Sequence, residues 1–256
     1  MKKANTQITN NSLLAVISQA TRPLVLSALV LLGPVTQAVA SPIVNFNAAD
    51  LSVGDVSTAE VQKASVQPDN LSQKPFNIKS KADLRLEVVS EGNSGQALRV
   101  HLPSSLEGSS VYWGFRDPQL ADILAPEKPL VFSTRLKATP SGVVVFGEAI
   151  FSRDDQLHAV CLFRTPTSTK AQVEPSFDLP EGEVVDVQVT LLAQDAGIAA
   201  KFQAKAASGF SDEREWVLPK TENYSLRDIQ FLNLVLFSDP SAGDAFIDLV
   251  SFAISQ

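Results

Sequence analysis

The chain has 256 residues, 45% of them apolar, and a net charge of −7, so it can fill a sizeable core. Residues 1–40 hold Lys2, Lys3 and Arg22 and no acid; beyond them 18 basic residues face 28 acids, a net charge of −10. So acidic a body lacks the Lys/Arg stripe that neutralises phosphates, which argues against nucleic acid and anionic membrane surfaces as partners and favours neutral or cationic ligands.

Residues 1–40 predict a cleaved secretory signal peptide. A basic n-region precedes an apolar run from Pro23 to Leu32, Gly33 and Pro34 break that run, and Ala38-Val39-Ala40 gives a small-x-small cleavage pattern before Ser41. The rival is an uncleaved anchor, but a spanning helix needs about 20 apolar residues and this stretch is shorter and interrupted. The expected locations are therefore secreted or periplasmic, with no membrane span after processing. Cys161 is the only cysteine, so export brings no disulfide; its place in an apolar strand reads as a small core residue.

From Ser41 onward the apolar period is two. Leu84, Leu86 and Val88 alternate with Arg85 and Glu87, and after Gly92-Asn93-Ser94-Gly95 a second run sets Leu98, Val100 and Leu102 against Arg99 and His101, which predicts a hairpin. The alternation recurs at 111–116, 130–136, 143–151, 157–163, 185–191, 198–204, 229–237 and 246–254. Pro/Gly/Ser/Asp clusters separate these runs, giving about ten strands. One short helix is expected where Asp117 can cap, Pro118 can start and Pro126 stops, with Leu120, Ile123 and Leu124 as its apolar face. Strand follows strand without intervening helices. The expectation is a single all-β domain over 41–256, an antiparallel two-sheet sandwich with a short helix, loop-rich up to about Leu71.

Four segments spread over the mature chain carry a family likeness: Val44-Asn45-Phe46-Asn47, Gly95-Gln96-Ala97-Leu98-Arg99-Val100, Leu179-Pro180-Glu181-Gly182-Glu183-Val184-Val185-Asp186-Val187 and Phe246-Ile247-Asp248-Leu249-Val250-Ser251-Phe252. Together they resemble secreted jelly-roll sandwiches of the concanavalin A-like, laminin G-like and carbohydrate-binding-module group. The likeness implies a jelly roll and a glycan or polysaccharide as partner. It also implies a structural calcium ion, held by an aspartate on the last strand and residues near the domain's start; Asp248, Asn47 and Asp50 stand at those places. Asn47 stands where such domains more often carry a glutamate, and Val184 where they often place a tryptophan.

Glycosidases on this fold set two carboxylates on one strand face in an acid-x-acid pattern. Glu181 and Glu183 have the spacing but sit in a Pro/Gly turn, Glu183 and Asp186 point to opposite faces, and Asp154-Asp155 lies between strands. His101 and His158 are isolated. The chain thus reads as more a binder than an enzyme. A sugar platform combines an aromatic face with planar hydrogen-bonding groups. With Val111, Trp113 and Phe115 inward, Tyr112 and Arg116 flank an open space over Gly114. With Val185, Val187, Val189 and Leu191 inward, Asp186, Gln188 and Thr190 form a polar row. Tyr112, Arg116, His158, Asp186 and Gln188 are the ligand-binding candidates. By plain alternation Asp248 shares a face with Phe246, Val250 and Phe252, where a carboxylate needs a partner. Non-catalytic glycan binding is the leading reading. Its rivals are a polysaccharide lyase or glycoside hydrolase, and a structural or adhesion module that binds another protein. The oligomeric state is not legible.

Overall fold

The computed structural model describes residues 42–67, 69, 76–79, 84–92, 95–102, 110–116, 120–138, 143–165, 176–180, 182–238 and 245–256. All lie in one unit running from Val39 to Gln256. The segment 1–40 expected to be a signal peptide, Ser41, Asp117, Pro118 and Glu181 lie outside the described residues.

The period-two runs become strands in chain order: β1 (Pro42–Asn47), β2 (Gly54–Asp55), β3 (Phe76–Lys79), β4 (Leu86–Ser90), β5 (Gln96–Leu102), β6 (Ser110–Arg116), β7 (Leu130–Ala138), β8 (Val143–Arg153), β9 (Gln156–Arg164), β10 (Val184–Gln194), β11 (Gly197–Ala206), β12 (Ser211–Val217), β13 (Ile229–Ser238) and β14 (Ala245–Ser255). They form two antiparallel sheets. The larger has nine strands in the order β12-β11-β10-β7-β14-β5-β4-β2, with β1 also on β14; the smaller runs β3-β6-β13-β8-β9. The expected β4–β5 hairpin forms with Leu86 opposite Val100 and Val88 opposite Leu98. Four of the fourteen strands, β1, β2, β3 and β12, lie outside the alternating runs.

Among the described residues two α-helices flank the strands. α1 (Thr58–Ala64), within the stretch expected to be loop-rich, starts at a reciprocal cap: Ser57 accepts from the Glu60 amide while the Glu60 carboxylate accepts from the Ser57 amide. The expected short helix is α2 (Leu120–Ile123). The side chain of Gln256 clamps the residues after it, donating to the Ala125 carbonyl and accepting from its amide at 2.7 Å each, and Arg227 donates to the Leu124 carbonyl. Among the described residues no helix is long and apolar enough to cross a membrane.

Alternation puts one face of each sheet into a shared interior. Leu130, Phe132 and Leu136 of β7, Val185, Val187, Val189 and Leu191 of β10, and Leu232, Leu234 and Leu236 of β13 are all buried. Phenylalanines bind the sheets together: Phe132 meets Phe252 of the same sheet and Phe163 of the other edge-on, and Phe163 reaches back to Phe202 at 5.7 Å. Cys161 departs from its expected core position. It stands opposite Glu148 on the outer side of the smaller sheet and is only half-buried, because a bulge facing Gly147 and Glu148 shifts β9 by one residue.

A second bulge matters more. Between Leu249 and Ser251, β14 carries one extra residue against β7, so Leu249 faces Leu136 while Phe252 faces Thr134. The side-chain period slips by one at Val250, and plain alternation fails across it. Asp248 therefore lies with Phe246 on the outer face, together with Ser251, while Phe252 is in the core. The expected shared face of Asp248 and Phe252 is corrected accordingly.

Candidate functional site

The outer face of the larger sheet is mostly polar, with Phe246 and Leu192 among its apolar exceptions, because the residues between the inward ones point outward. Register places these side chains in lateral rows. One row runs Asp55, Glu87, Arg99, Asp248 and Lys137 over β2, β4, β5, β14 and β7. The next runs Asn47, Ser251, Arg135, Asp186 and Lys205 over β1, β14, β7, β10 and β11. A third contains Ser133, Gln188 and Gln203. The bulge at Val250 puts both Asp248 and Ser251 on this face, opposite Lys137 and Arg135 respectively.

Apart from Lys205, the acids and bases in these rows are paired. Arg99 Nε and Nη2 donate to the two oxygens of Asp248 at 2.7 and 2.8 Å. The Asp248 side chain is wholly buried, and the fork of two parallel bonds satisfies a charge that has lost its water. Arg99 also lies over the Phe246 ring, 4.1 Å from its centroid, and 3.6 Å from Glu91. Its partnership with Asp248 raises the Arg99 pKa above the ordinary guanidinium value, fixing it as a cation. Glu91 in turn accepts from Lys137 Nζ at 2.7 Å. Arg135 Nε lies 3.4 Å from Asp186 Oδ1.

At one end of the face the rows open into a cleft of about 540 Å³ lined by Glu91, Arg135, Lys137, Glu183, Asp186 and Lys205, among others. The floor comes from β7, β10 and β11. The walls are the turn entering β10 at Gly182, the turn after β11 at Ala206 to Ser208, and Glu91 beyond β4. Gly182 has φ +72°, which an L side chain rarely adopts.

The ligand candidates fall in three places. Asp186 and Gln188 project from the exposed side of β10, as the alternation predicts, and Asp186 lines the cleft. Tyr112 and Arg116 occupy positions on β6 opposite Val235 and Phe231, in the other sheet; their side chains lie outside the described residues. His158 sits at the end of the sandwich, where Nε2 donates to the Pro219 carbonyl at 2.8 Å and the ring stacks on Tyr224. The structure thus does not gather the five into one site. Sequence reasoning missed Arg135, Lys137 and Lys205: they alternate correctly, but only the register shows that β7 and β11 flank β10.

The calcium donors are similarly dispersed in role. Asn47 Oδ1 accepts from the Ala49 amide, Asp50 is exposed, and both Asp248 oxygens accept from Arg99. The buried carboxylate is already neutralised by a guanidinium, so these residues do not suit Ca²⁺, which takes six to eight oxygens free of a competing cation. Among the described residues, no group of three or more His, Cys, Asp or Glu side chains is placed to hold a metal ion.

No family model matches the chain, and no curated protein matches it in sequence. Solved structures do match its shape. An alginate lyase from Aplysia kurodai superposes with a TM-score of 0.51 at 9% identity, covering 84% of this chain and 99% of that one. Lectin II from Ulex europaeus gives 0.44 at 13% identity, covering 84% and 99%. A carbohydrate esterase from a Shiga toxin-encoding bacteriophage gives 0.46 at 11%, covering 84% and 98%. The chain has an antiparallel two-sheet jelly-roll sandwich fold.

Proposed function

We propose that this chain is an exported, non-catalytic glycan-binding module whose site is the cleft on the outer face of the larger sheet. The observation that carries the reading is the cleft itself. Planar and charged side chains from three adjacent strands converge on an open space large enough for sugar rings, and Asp186, Gln188 and Arg135 offer acceptors and donors in neighbouring register positions. The alginate lyase that shares the fold acts on a carbohydrate and so supports the same ligand class.

A binder is favoured over a lyase or hydrolase because Asp186, Lys137 and Glu91 in the cleft are engaged in ion pairs. Asp186 pairs with Arg135 and Lys137 with Glu91, while His158 is engaged with Pro219 at the sandwich end. The run from Pro23 to Leu32 followed by Ala38-Val39-Ala40 supports export with cleavage before Ser41. N-terminal sequencing of the exported protein checks that step: a chain that still begins at Met1 overturns it. A glycan array and polysaccharide pull-down, with reducing-sugar release measured in parallel, tests the function. Binding without release is expected. Release of sugar ends would make the chain an enzyme, and silence in both assays would favour a protein partner.

A further inference from the structure

The whole chain is acidic, yet the cleft floor is not. Arg135, Lys137 and Lys205 stand within two rows of one another, against Glu91, Glu183 and Asp186. Lys137 is committed to Glu91 at 2.7 Å. Lys205 has no ion-pair partner among the described residues and reaches the cleft from β11.

Arg135 carries the decisive feature. Its side chain is 42% exposed, and the one atom shielded from solvent, Nε, has no hydrogen-bond partner among the described residues. Asp186 Oδ1, 3.4 Å away, attracts it as a charge without satisfying that N–H. A shielded donor left unmade is costly and calls for an explanation, and the exposed part of the same guanidinium lines the cleft where an acceptor can reach it. Across β14 the facing residue is Ser251, placed there by the Val250 bulge.

We propose that the cleft seats a glycan bearing carboxylates, a uronic acid unit, with its carboxylate on Arg135 and Lys205 and its hydroxyls on Asp186 and Glu183. The inference rests on the glycan-binding reading above and narrows it to an acidic polymer. The planar guanidinium fork matches a carboxylate, Lys205 adds a flexible second cation, and carboxylate acceptors at the rim suit vicinal hydroxyls. This local arrangement runs against the neutral or cationic ligand that net charge alone suggests.

The test is titration of the purified protein with polygalacturonate, with the same polymer after reduction of its carboxyl groups, and with dextran sulfate. Polygalacturonate is expected to bind, and the reduced polymer to bind about 10-fold more weakly. Arg135→Gln and, separately, the exposed Lys205→Gln are each expected to remove most of that difference; the second leaves the sheet intact even if the first does not fold. Equal binding of the reduced polymer overturns the carboxylate seat but leaves glycan binding standing. No binding to any of the three, or dextran sulfate binding that neither substitution weakens, overturns the seat, and the former removes the glycan reading of this cleft with it.

Discussion

Asp248 on β14 and Arg99 on β5 stand opposite each other in the ladder and share two hydrogen bonds, 2.7 and 2.8 Å long, with the carboxylate wholly buried. A buried pair broken on one side leaves the other charge without compensation, at a cost of roughly 3–5 kcal/mol. Asp248→Asn is therefore expected to lower unfolding free energy by about 3 kcal/mol in urea, toward the lower end of that range because Arg99 keeps Glu91 and the Phe246 ring. Replacing both partners at once, Arg99→Met with Asp248→Leu, is expected to recover most of the loss. A single mutant within about 0.5 kcal/mol of wild type would show that the pair contributes little.

Gly147 lies on the inward side of β8, where an added Cβ would stand 2.5 Å from Phe163 Cε1 and 2.7 Å from Cδ1. Phe163 is fully buried and packed against Phe132 and Phe202, so the ring cannot swing aside cheaply. Gly147→Ala is expected to cost about 1–3 kcal/mol by overpacking. Thermal unfolding measures it, and an unchanged midpoint would mean that the two sheets can separate locally at low cost.

The interior was largely legible in the sequence, because a period of two with bulky apolar residues on one side leaves few alternatives to a strand over a buried face. β12 escaped for a physical reason. It is an edge strand whose Ser211, Asp212, Glu213, Arg214 and Glu215 keep water on both sides, so burial imposes no alternation. β1 was marked only by its likeness to other jelly rolls, since Ile43 and Val44 are adjacent and both buried at a register shift, which breaks the period of two. Asp248 shows the other limit: its conspicuous position was readable, but its face depends on one extra residue at Val250, and a bulge has no signature in side-chain pattern. Asp186 and Gln188 could be assigned outward from β10 alone. Their neighbours Arg135 and Lys205 could not, because strand order is set by long-range pairing that local residues do not encode.

Cys161 gives a prediction in pH. Burial pushes its thiol up to about 11 from an ordinary value of 9.0. The folded protein thus holds this proton more tightly than the unfolded chain does, and the sign follows: the stabilisation is fully present below pH 9 and is lost as pH rises from 9 to 11. About 2 kcal/mol of pH-dependent stability is expected across that window, absent in Cys161→Ala. Maleimide labelling at pH 8 is expected to be slow in native protein and fast in denaturant. Rapid native labelling would place the thiol in a more open or more cationic setting.

Glu91 controls how much positive charge the cleft presents. Its carboxylate holds Lys137 Nζ at 2.7 Å and approaches Arg99 at 3.6 Å, and the backbone beyond β4 fixes its position, the Glu91 amide donating to the Gly95 carbonyl at 2.7 Å. Glu91→Gln preserves the shape and removes one negative charge, which releases Lys137 toward the cleft while Asp248 still holds Arg99. If an acidic glycan occupies this space, the substitution is expected to strengthen polygalacturonate binding about threefold and to steepen its dependence on salt, because one more cation then faces the polymer. Binding of the carboxyl-reduced polymer is expected to stay unchanged. Weaker polygalacturonate binding in Glu91→Gln would mean instead that the Glu91–Lys137 pair shapes the wall of the cleft, with Lys137 serving structure rather than ligand.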